Sequence, residues 1–189
     1  MINQMIRYFD ILISILILII FSPILVVISI LILIIDGRPI IYKQPRVGYK
    51  GKRFIIFKFR TMSNVIFKNE KLRLTAIGKI LRRTSIDELP QFINVLFKDM
   101  SIVGPRPLPK TIENKINRSA KIKRRKILPG ITGMSQINYT GKKRKLAHKI
   151  NLDLYFIDNY TLYNYFKILL KTPIILLIRF FKNKSSIIK

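Results

Sequence analysis

The residues with the clearest chemical potential are Asp87 and Glu88, within the segment Arg82–Phe92 (RRTSIDELPQF). They are the only adjacent acids in a chain that has nine Asp plus Glu against 36 Lys plus Arg, with a formal net charge of +27. Neighbouring carboxylates repel each other unless a cation lies close to them. A metal ion, or a phosphorylated substrate held by nearby arginines, would supply that partner. Arg82 and Arg83 stand a few residues upstream and can neutralise a diphosphate.

A purely structural interpretation of the same residues stays open. Asp is a favoured N-cap, and Pro90 is tolerated in the first turn of a helix, so Asp87 could simply cap the helix that follows. Arg82 and Arg83 could equally belong to a solvated helix face. The two interpretations are compatible, because phosphates also bind at helix N-termini.

An uncharged run of 25 residues, from Ile11 to Ile35, precedes these residues. About 20 apolar residues suffice to cross a bilayer, and the run is too long for a signal peptide and lacks a small-residue cleavage site. Ser22-Pro23 interrupts it, because proline breaks or kinks a helix interior. A kinked spanning helix and a bent hairpin in one leaflet both fit this pattern, and composition alone slightly favours the span.

Charge and length constrain the rest of the chain. All but one of the 36 basic side chains follow the apolar run, which predicts a cytoplasmic location for that part and a preference for anionic lipids. Part of this charge could reflect a compositional bias. The length fits one membrane segment and one compact domain, and the absence of cysteine excludes disulfides and thiolate metal sites. A membrane-anchored protein that binds nucleic acid or another polyanion, and a scaffold protein, remain alternatives.

The pattern predicts a mostly α-helical fold with a small β-hairpin. Its last two helices are amphipathic and suit a membrane interface. The predicted elements are a hairpin at Ile40–Met62, helices at Leu72–Arg83 and Gln91–Phe97, a rigid turn at Val103–Pro109, a basic helix at Thr111–Lys126, a loop at Pro129–Gly133, and helices at Leu146–Tyr155 and Tyr163–Phe181, the last interrupted by Pro173.

Several motifs, in order along nearly the whole chain, carry a family resemblance. They are Gln44, Arg46, Gly48, Gly51 and Phe54; Lys58–Met62; Arg82–Gln91; Asp99–Pro107; Pro129–Gly133; Gln136 and Asn138; and Leu152–Tyr155. Together they resemble the bacterial sugar transferases, the small monotopic polyprenol-phosphate phosphoglycosyl transferases. Ser22-Pro23 is similar to the break in the re-entrant membrane helix of that family. The resemblance therefore favours the hairpin over the span, with residues 1–37 as the anchor and residues 38–189 as the catalytic domain on the cytoplasmic face of the inner membrane.

The resemblance implies the transfer of a sugar phosphate from a UDP-sugar to undecaprenyl phosphate, with release of UMP. Asp87 matches the nucleophile of the family, which would carry the phosphosugar in a ping-pong cycle. Mg²⁺ would serve as cofactor, with Glu88 as the expected ligand and Asp87 beside it, and Arg82 or Arg83 would stabilise the charge. No role for nucleic acid follows from the resemblance.

Other positions match the family less specifically. The resemblance assigns Pro105, Arg106 and Pro107 to the nucleotide end of the donor, and it places Lys58 and Asp153 near the active site. His148, the only histidine, is predicted to lie on the surface. Met134 and the basic run at residues 142–145 (KKRK) depart from the family pattern. The resemblance leaves the sugar, the pathway and the oligomeric state unspecified, and it makes the chain look like a minimal catalytic unit without the N-terminal membrane helices of larger members.

Overall fold

A computed structural model describes residues 2–63, 73–138 and 145–185 of the chain. The described part is mostly helical and contains two small two-stranded sheets, as the sequence predicts for the helices and the hairpin. The helices are α1 (Ile2–Ile20), α2 (Ser22–Ile35), α3 (Ala76–Thr84), α4 (Gln91–Leu96), α5 (Lys110–Glu113), α6 (Arg118–Arg124), α7 (Met134–Ile137), α8 (Leu146–Asp158) and α9 (Leu162–Ser185), and the strands are β1 (Ile41–Val47), β2 (Arg53–Phe59), β3 (Ser101–Val103) and β4 (Gly130–Thr132).

The apolar run is broken at Phe21, between α1 and α2. Pro23 lies in the first turn of α2, where its missing amide hydrogen costs no helical bond. The Ser22 hydroxyl donates a hydrogen bond of 2.8 Å to the carbonyl of Ile19. The predicted break at Ser22-Pro23 is therefore confirmed. By length and composition alone, α1 is long and apolar enough to cross a membrane.

Polar contacts fix α1 to the rest of the chain. Arg7 donates hydrogen bonds to two carbonyls at the C-terminal end of α4, at 2.6 and 3.1 Å. The buried carboxylate of Asp10 accepts a hydrogen bond from the backbone amide of Ile102 in β3 at 2.9 Å, and another from the Tyr165 hydroxyl in α9 at 2.6 Å. A buried acid needs such partners, so α1 has one defined orientation on α4, β3 and α9.

The hairpin of β1 and β2 is antiparallel, as predicted, with Tyr42 opposite Lys58. Alternation along β2 places Phe54 and Ile56 in the main core. The side chain of Asn94 in α4 bonds the free edge of β2, accepting from Phe57 N at 3.0 Å and donating to Ile55 O at 2.7 Å. Asn94 thus takes the place of a third strand and holds β2 against α4.

Two expectations about the middle of the chain are wrong. The basic helix predicted at Thr111–Lys126 is divided into α5 and α6, because Asn117 accepts a hydrogen bond from Ala120 N at 3.0 Å and so caps a new helix. The predicted loop at Pro129–Gly133 contains β4, which pairs in parallel with β3. A Cβ at Gly130 would lie 2.0 Å from Gly104 N, so only glycine permits this approach of the two backbones.

The remaining predicted helices are present. Thr75 caps α3, accepting from Gly78 N at 2.9 Å, while the predicted start at Leu72 lies outside the described residues. Along α9, which contains Pro173 as predicted, several apolar side chains at helical spacing are exposed. They are Leu170, Ile174, Leu177 and Phe181. Such a stripe is typical of a helix that lies against an apolar surface.

Candidate active site

The acidic pair lies in an open cleft of about 1140 Å³ between the hairpin, α3 and the segment that follows β3. Among its described lining residues, Asp87 and Glu88 are the two acids. Seven basic side chains also line this cleft, namely Arg46, Lys58, Arg60, Arg73, Lys79, Arg82 and Arg106. A cleft with this balance favours a ligand that carries several negative charges.

A turn of 3₁₀ helix at Ile86–Glu88 presents the acidic pair. Ser85 ends α3 in the left-handed conformation, with φ +59°, which reverses the chain before the acids. The N-cap of α4 is Pro90, and no side chain caps that helix. The interpretation of Asp87 as the cap of α4 is therefore wrong, because the inserted turn places Asp87 three residues before Pro90.

Glu88 is held by two cations. Its Oε1 atom lies 2.5 Å from Lys58 Nζ and 2.8 Å from an Arg106 guanidinium nitrogen. Burial opposes the ionisation of Glu88, but the attraction of Arg106 and Lys58, together with their hydrogen bonds, lowers its pKa to about 2. Glu88 is therefore an anion at every physiological pH and stays in a fixed position.

Asp87 has a different environment although it is the next residue. Its side chain is buried, and within the described part of the chain its carboxylate accepts no side-chain hydrogen bond. Burial and the repulsion of Glu88 raise the pKa of Asp87 to about 6, against the attraction of Lys58, Arg82 and Arg106. At neutral pH Asp87 is thus mostly ionised and poorly solvated, with oxygens that remain available for a reaction. A carboxylate in this state is suited to nucleophilic attack.

Lys58 owes its position to the strand pattern. It shares a face of β2 with the buried Phe54 and Ile56, so its ammonium group points inward. Burial lowers its pKa, and Glu88 opposes that shift. Lys58 thus lies beside Glu88 in this structure, and its predicted role at the active site stays a prediction.

Of the two arginines before the acidic pair, one lies in the cleft. Arg82 lines it, and Arg82 Nε donates to the Thr61 hydroxyl at 2.8 Å. Arg83 contacts α9 instead, where its guanidinium lies 4.6 Å from the ring centroid of Phe180 and donates to the Phe180 carbonyl at 3.1 Å. This contact connects α3 to α9, and substrate binding by Arg83 stays a prediction.

The Pro105-Arg106-Pro107 segment is placed by its backbone. Pro105 O accepts from Gly130 N at 3.0 Å, and Pro107 O accepts from Arg46 at 3.3 Å. Arg106 reaches Glu88 from this support. The predicted contact of Arg106 with the nucleotide end of a donor stays a prediction.

Asp153 does not line the described part of the cleft. It is buried and forms an ion pair with Arg124, which also donates to the Arg106 carbonyl at 2.7 Å. Asp153 thus lies behind the site and supports Arg106 through Arg124. Sequence reasoning placed Asp153 near the site but missed Arg124, whose position inside a basic helix gave no signal. His148 is exposed, as predicted. Met134 packs against the main core. Residues 142–144 of the basic run lie outside the described residues.

Strand β1 forms a wall of the cleft that was not predicted to belong to the site. Tyr42, Gln44 and Arg46 of β1 all line it. They alternate along the strand, and a period of two places alternate residues on one face. That spacing, together with the match of Gln44 and Arg46 to the family motifs, was the available signal.

The chemistry of the site fits a divalent cation that a substrate helps to hold. Within residues 2–63, 73–138 and 145–185, no group of three or more His, Cys, Asp or Glu side chains could bind a metal. Mg²⁺ does not require one, since it commonly binds one or two carboxylates together with substrate phosphates. Asp87 and the Oε2 atom of Glu88 are the carboxylate oxygens that would hold it.

Comparison with known proteins identifies the family. Residues 2–179 match the family model described as bacterial sugar transferase. The chain belongs to this family. A UDP-glucose:undecaprenyl-phosphate glucose-1-phosphate transferase of Klebsiella pneumoniae is 40% identical over 195 residues, which cover 95% of this chain and 41% of the relative.

Two further relatives in the family match most of this chain. A UDP-N-acetylgalactosamine-undecaprenyl-phosphate N-acetylgalactosaminephosphotransferase of Aeromonas hydrophila is 34% identical over 177 residues, covering 88% of this chain and 42% of the relative. The uncharacterized sugar transferase EpsL of Bacillus subtilis is 39% identical over 142 residues, covering 72% and 69%. The chain spans about two fifths of the length of the two undecaprenyl-phosphate transferases.

Proposed function

We propose that this chain is a polyprenol-phosphate phosphoglycosyl transferase. It transfers a sugar 1-phosphate from a UDP-sugar to undecaprenyl phosphate and releases UMP. This reaction would be the first membrane step in the assembly of a surface glycan such as a capsule, an O-antigen, an exopolysaccharide or a glycoprotein glycan. The relatives named as undecaprenyl-phosphate sugar-phosphate transferases support the reaction class, and their different sugars leave the sugar of this chain open.

The observation that carries the proposal is the contrast between the two acids. Glu88 is fixed by Lys58 and Arg106, whereas Asp87 is ionised near neutral pH and accepts no side-chain hydrogen bond from the described residues. One carboxylate is therefore a fixed charge and the other is available to react. A cap or a structural ion pair would need a partner for Asp87.

The proposed reaction proceeds in two displacements. An Asp87 oxygen attacks the sugar-bearing phosphorus of the donor, the bond from that phosphorus to the bridging oxygen breaks, and UMP leaves. A phosphate oxygen of undecaprenyl phosphate then attacks the same phosphorus, and the bond to Asp87 breaks. The product is a polyprenol diphosphate sugar, and Asp87 is regenerated as a carboxylate.

The basic side chains around Asp87 stabilise charge during both displacements. Phosphoryl transfer depends mainly on positioning and on electrostatic stabilisation of the phosphoryl oxygens. Arg82 and Arg106 line the cleft and would stabilise the phosphoryl oxygens. Lys58 holds Glu88 in place through their ion pair. Glu88 and Asp87 are the residues that would hold Mg²⁺, and the bound ion would neutralise part of the donor charge and so reduce its repulsion of Asp87.

A turnover assay tests the reaction class. The chain in detergent or vesicles is supplied with undecaprenyl phosphate and one UDP-sugar at a time from a panel. We expect UMP release, with formation of the lipid-linked sugar diphosphate, for at least one member of the panel. Absence of UMP with every donor, from a folded protein, would contradict the proposal.

The raised pKa of Asp87 predicts an acid limb in the rate profile. Attack requires the carboxylate, and the pKa of Asp87 is about 6, so the fraction in the reactive form falls as the pH is lowered through 6. The turnover rate should then fall about tenfold per pH unit below that value. Glu88, with a pKa of about 2, contributes nothing in this range. A rate that is constant from about pH 7.5 to about pH 4.5 would contradict the role of Asp87.

We also propose that α1 and α2 form a re-entrant hairpin on the cytoplasmic face of the inner membrane. Both ends of the apolar segment contact the same domain, which supports this topology. Arg7 near the start of α1 bonds α4, and Arg60 after β2 donates to three carbonyls in the chain that follows α2, including that of Arg38 at 2.7 Å. A straight helix over residues 2–35 would hold its ends about 50 Å apart.

Cysteine labelling tests the hairpin in a chain that has no cysteine of its own. Cysteines are introduced singly at Asn3 and at Lys43, both of which are exposed. A hairpin predicts that an impermeant maleimide labels neither site in intact cells and both sites in inverted vesicles. Labelling of position 3 from the outside, with position 43 labelled only from the inside, would establish a spanning helix instead. Pro23→Leu should favour that outcome, because the break loses its cause.

A further inference from the structure

A second cavity, of about 670 Å³, lies apart from the cleft of Asp87. It is bounded by the first three turns of α1, the turn between β1 and β2, and the turns that follow α4 and α6. The proposed reaction does not use this cavity. Its lining combines basic, aromatic and apolar side chains.

Three of the basic side chains at this cavity are available to a ligand. Lys52, Lys98 and Lys126 are exposed on its rim, and they come from three separate loops. Within the described residues, none of the three forms an ion pair or a side-chain hydrogen bond. The described lining contains two acids, Asp10 and Asp99, and Asp10 is already bonded inside the fold. Three lysines that line one cavity and have no partner among the described residues attract an anion, and a phosphate group is the common biological one.

The apolar part of the cavity points to a lipid rather than a soluble anion. Tyr8 and Phe97 line the cavity and are 75% and 67% exposed, which is a large exposure for aromatic side chains. Leu12, one turn further along α1, is 56% exposed and continues the apolar surface of that helix. A free phosphate would leave these apolar side chains exposed to water, whereas the acyl chains of a lipid would cover them. Aromatic and lysine side chains side by side are also typical of a membrane interface.

We propose that this cavity binds the headgroup of an anionic phospholipid. The phosphodiester lies between Lys52, Lys98 and Lys126, and the acyl chains follow Tyr8 and Phe97 toward the apolar surface of α1. The cavity shares no described lining residue with the cleft of Asp87, and it takes no part in the chemistry. A bound lipid would fix the depth of α1 at the interface.

Native mass spectrometry tests the site with the full chain and without any UDP-sugar, so the result is independent of the proposed reaction. The probe is phosphatidylglycerol, titrated against phosphatidylcholine in mixed micelles. The test variant carries Lys52→Gln, Lys98→Gln and Lys126→Gln. The control carries Lys110→Gln, Lys115→Gln and Lys149→Gln, which are exposed lysines outside the cavity and change the net charge equally.

We expect one tightly retained phosphatidylglycerol on the wild type and on the control. Because the cavity variant loses all three charges that hold the phosphodiester, it should bind phosphatidylglycerol about 100-fold more weakly. Equal losses in both variants would indicate diffuse electrostatic attraction and overturn the site. Equal retention of phosphatidylcholine by the wild type would overturn the role of charge.

A second comparison separates a lipid from a soluble phosphate. Glycerol 3-phosphate or inorganic phosphate at millimolar concentration should fail to displace the bound lipid. A Tyr8→Ser, Phe97→Ser variant should bind phosphatidylglycerol with long acyl chains more weakly, with little change for its dihexanoyl form. Displacement by phosphate alone, or an unchanged affinity in that variant, would show an anion site without acyl contacts and contradict the proposal. Thermal unfolding of each variant confirms that the loss is not a loss of fold.

Discussion

Asp87→Asn should abolish UMP release while the protein stays folded. The amide has almost the shape of the carboxylate but cannot act as the nucleophile, so we expect a loss of at least about a thousandfold. On the wild type, incubation with the correct UDP-sugar in the absence of the lipid acceptor should leave a phosphosugar adduct. Intact-mass measurement would detect it, and peptide mapping should place it on Asp87. The variant should show no adduct.

The stability of the same variant separates a nucleophile from a structural acid. Because the pKa of Asp87 is raised to about 6 in the folded state, ionisation of Asp87 above that pH opposes folding. Removing the charge should therefore leave the melting temperature unchanged or raise it at about pH 7.5. Asp158→Asn, which alters an exposed acid paired with Lys123, serves as the control and should keep full activity. A folded Asp87→Asn protein with normal turnover would remove Asp87 from the mechanism.

The sequence predicts the elements of this fold better than their connections. Uncharged length and Ser22-Pro23 are local signals, so the broken apolar segment could be predicted. The hairpin follows from a β-rich run beside Gly48 and Gly51. The pairing of β3 with β4 could not be predicted from the sequence. Each of these strands has only three residues, and their pairing depends on the close approach of Gly130 to Gly104. No local sequence pattern indicates a contact between β3 and β4, which lie far apart in the chain.

The site shows the same division between local and distant information. The adjacent acids stand out in a basic chain, but their different states depend on residues 30 and 18 positions away from Glu88. Lys58 and Arg106 converge on Glu88, and neither bonds Asp87. Family resemblance selects the same positions without giving this geometry. It also does not show that Arg83 turns to α9 or that Asp153 acts on Arg106 through Arg124.

Activity should require a divalent cation, most effectively Mg²⁺, with Glu88 as the residue through which the requirement acts. The described acids form no cage of their own, so the donor phosphates would complete the coordination. The site should therefore be weak without substrate. Glu88→Gln removes one charge and keeps an acceptor for Lys58 and Arg106. We expect the Mg²⁺ concentration for half-maximal rate to rise at least about tenfold, or turnover to cease.

The deciding measurement is a Mg²⁺ titration of the initial rate, with EDTA as the zero point. Glu113→Gln is the matched control, because Glu113 is also buried and paired with an arginine, Arg125 at 3.0 Å, but lies outside the cleft. Both variants lose an acid and weaken one or more ion pairs, so a general effect on stability should appear in both melting temperatures. Only Glu88→Gln should shift the titration. Full wild-type activity in EDTA would remove the metal from the mechanism. An unshifted titration in Glu88→Gln would instead leave Glu88 the narrower task of anchoring Lys58 and Arg106 beside Asp87.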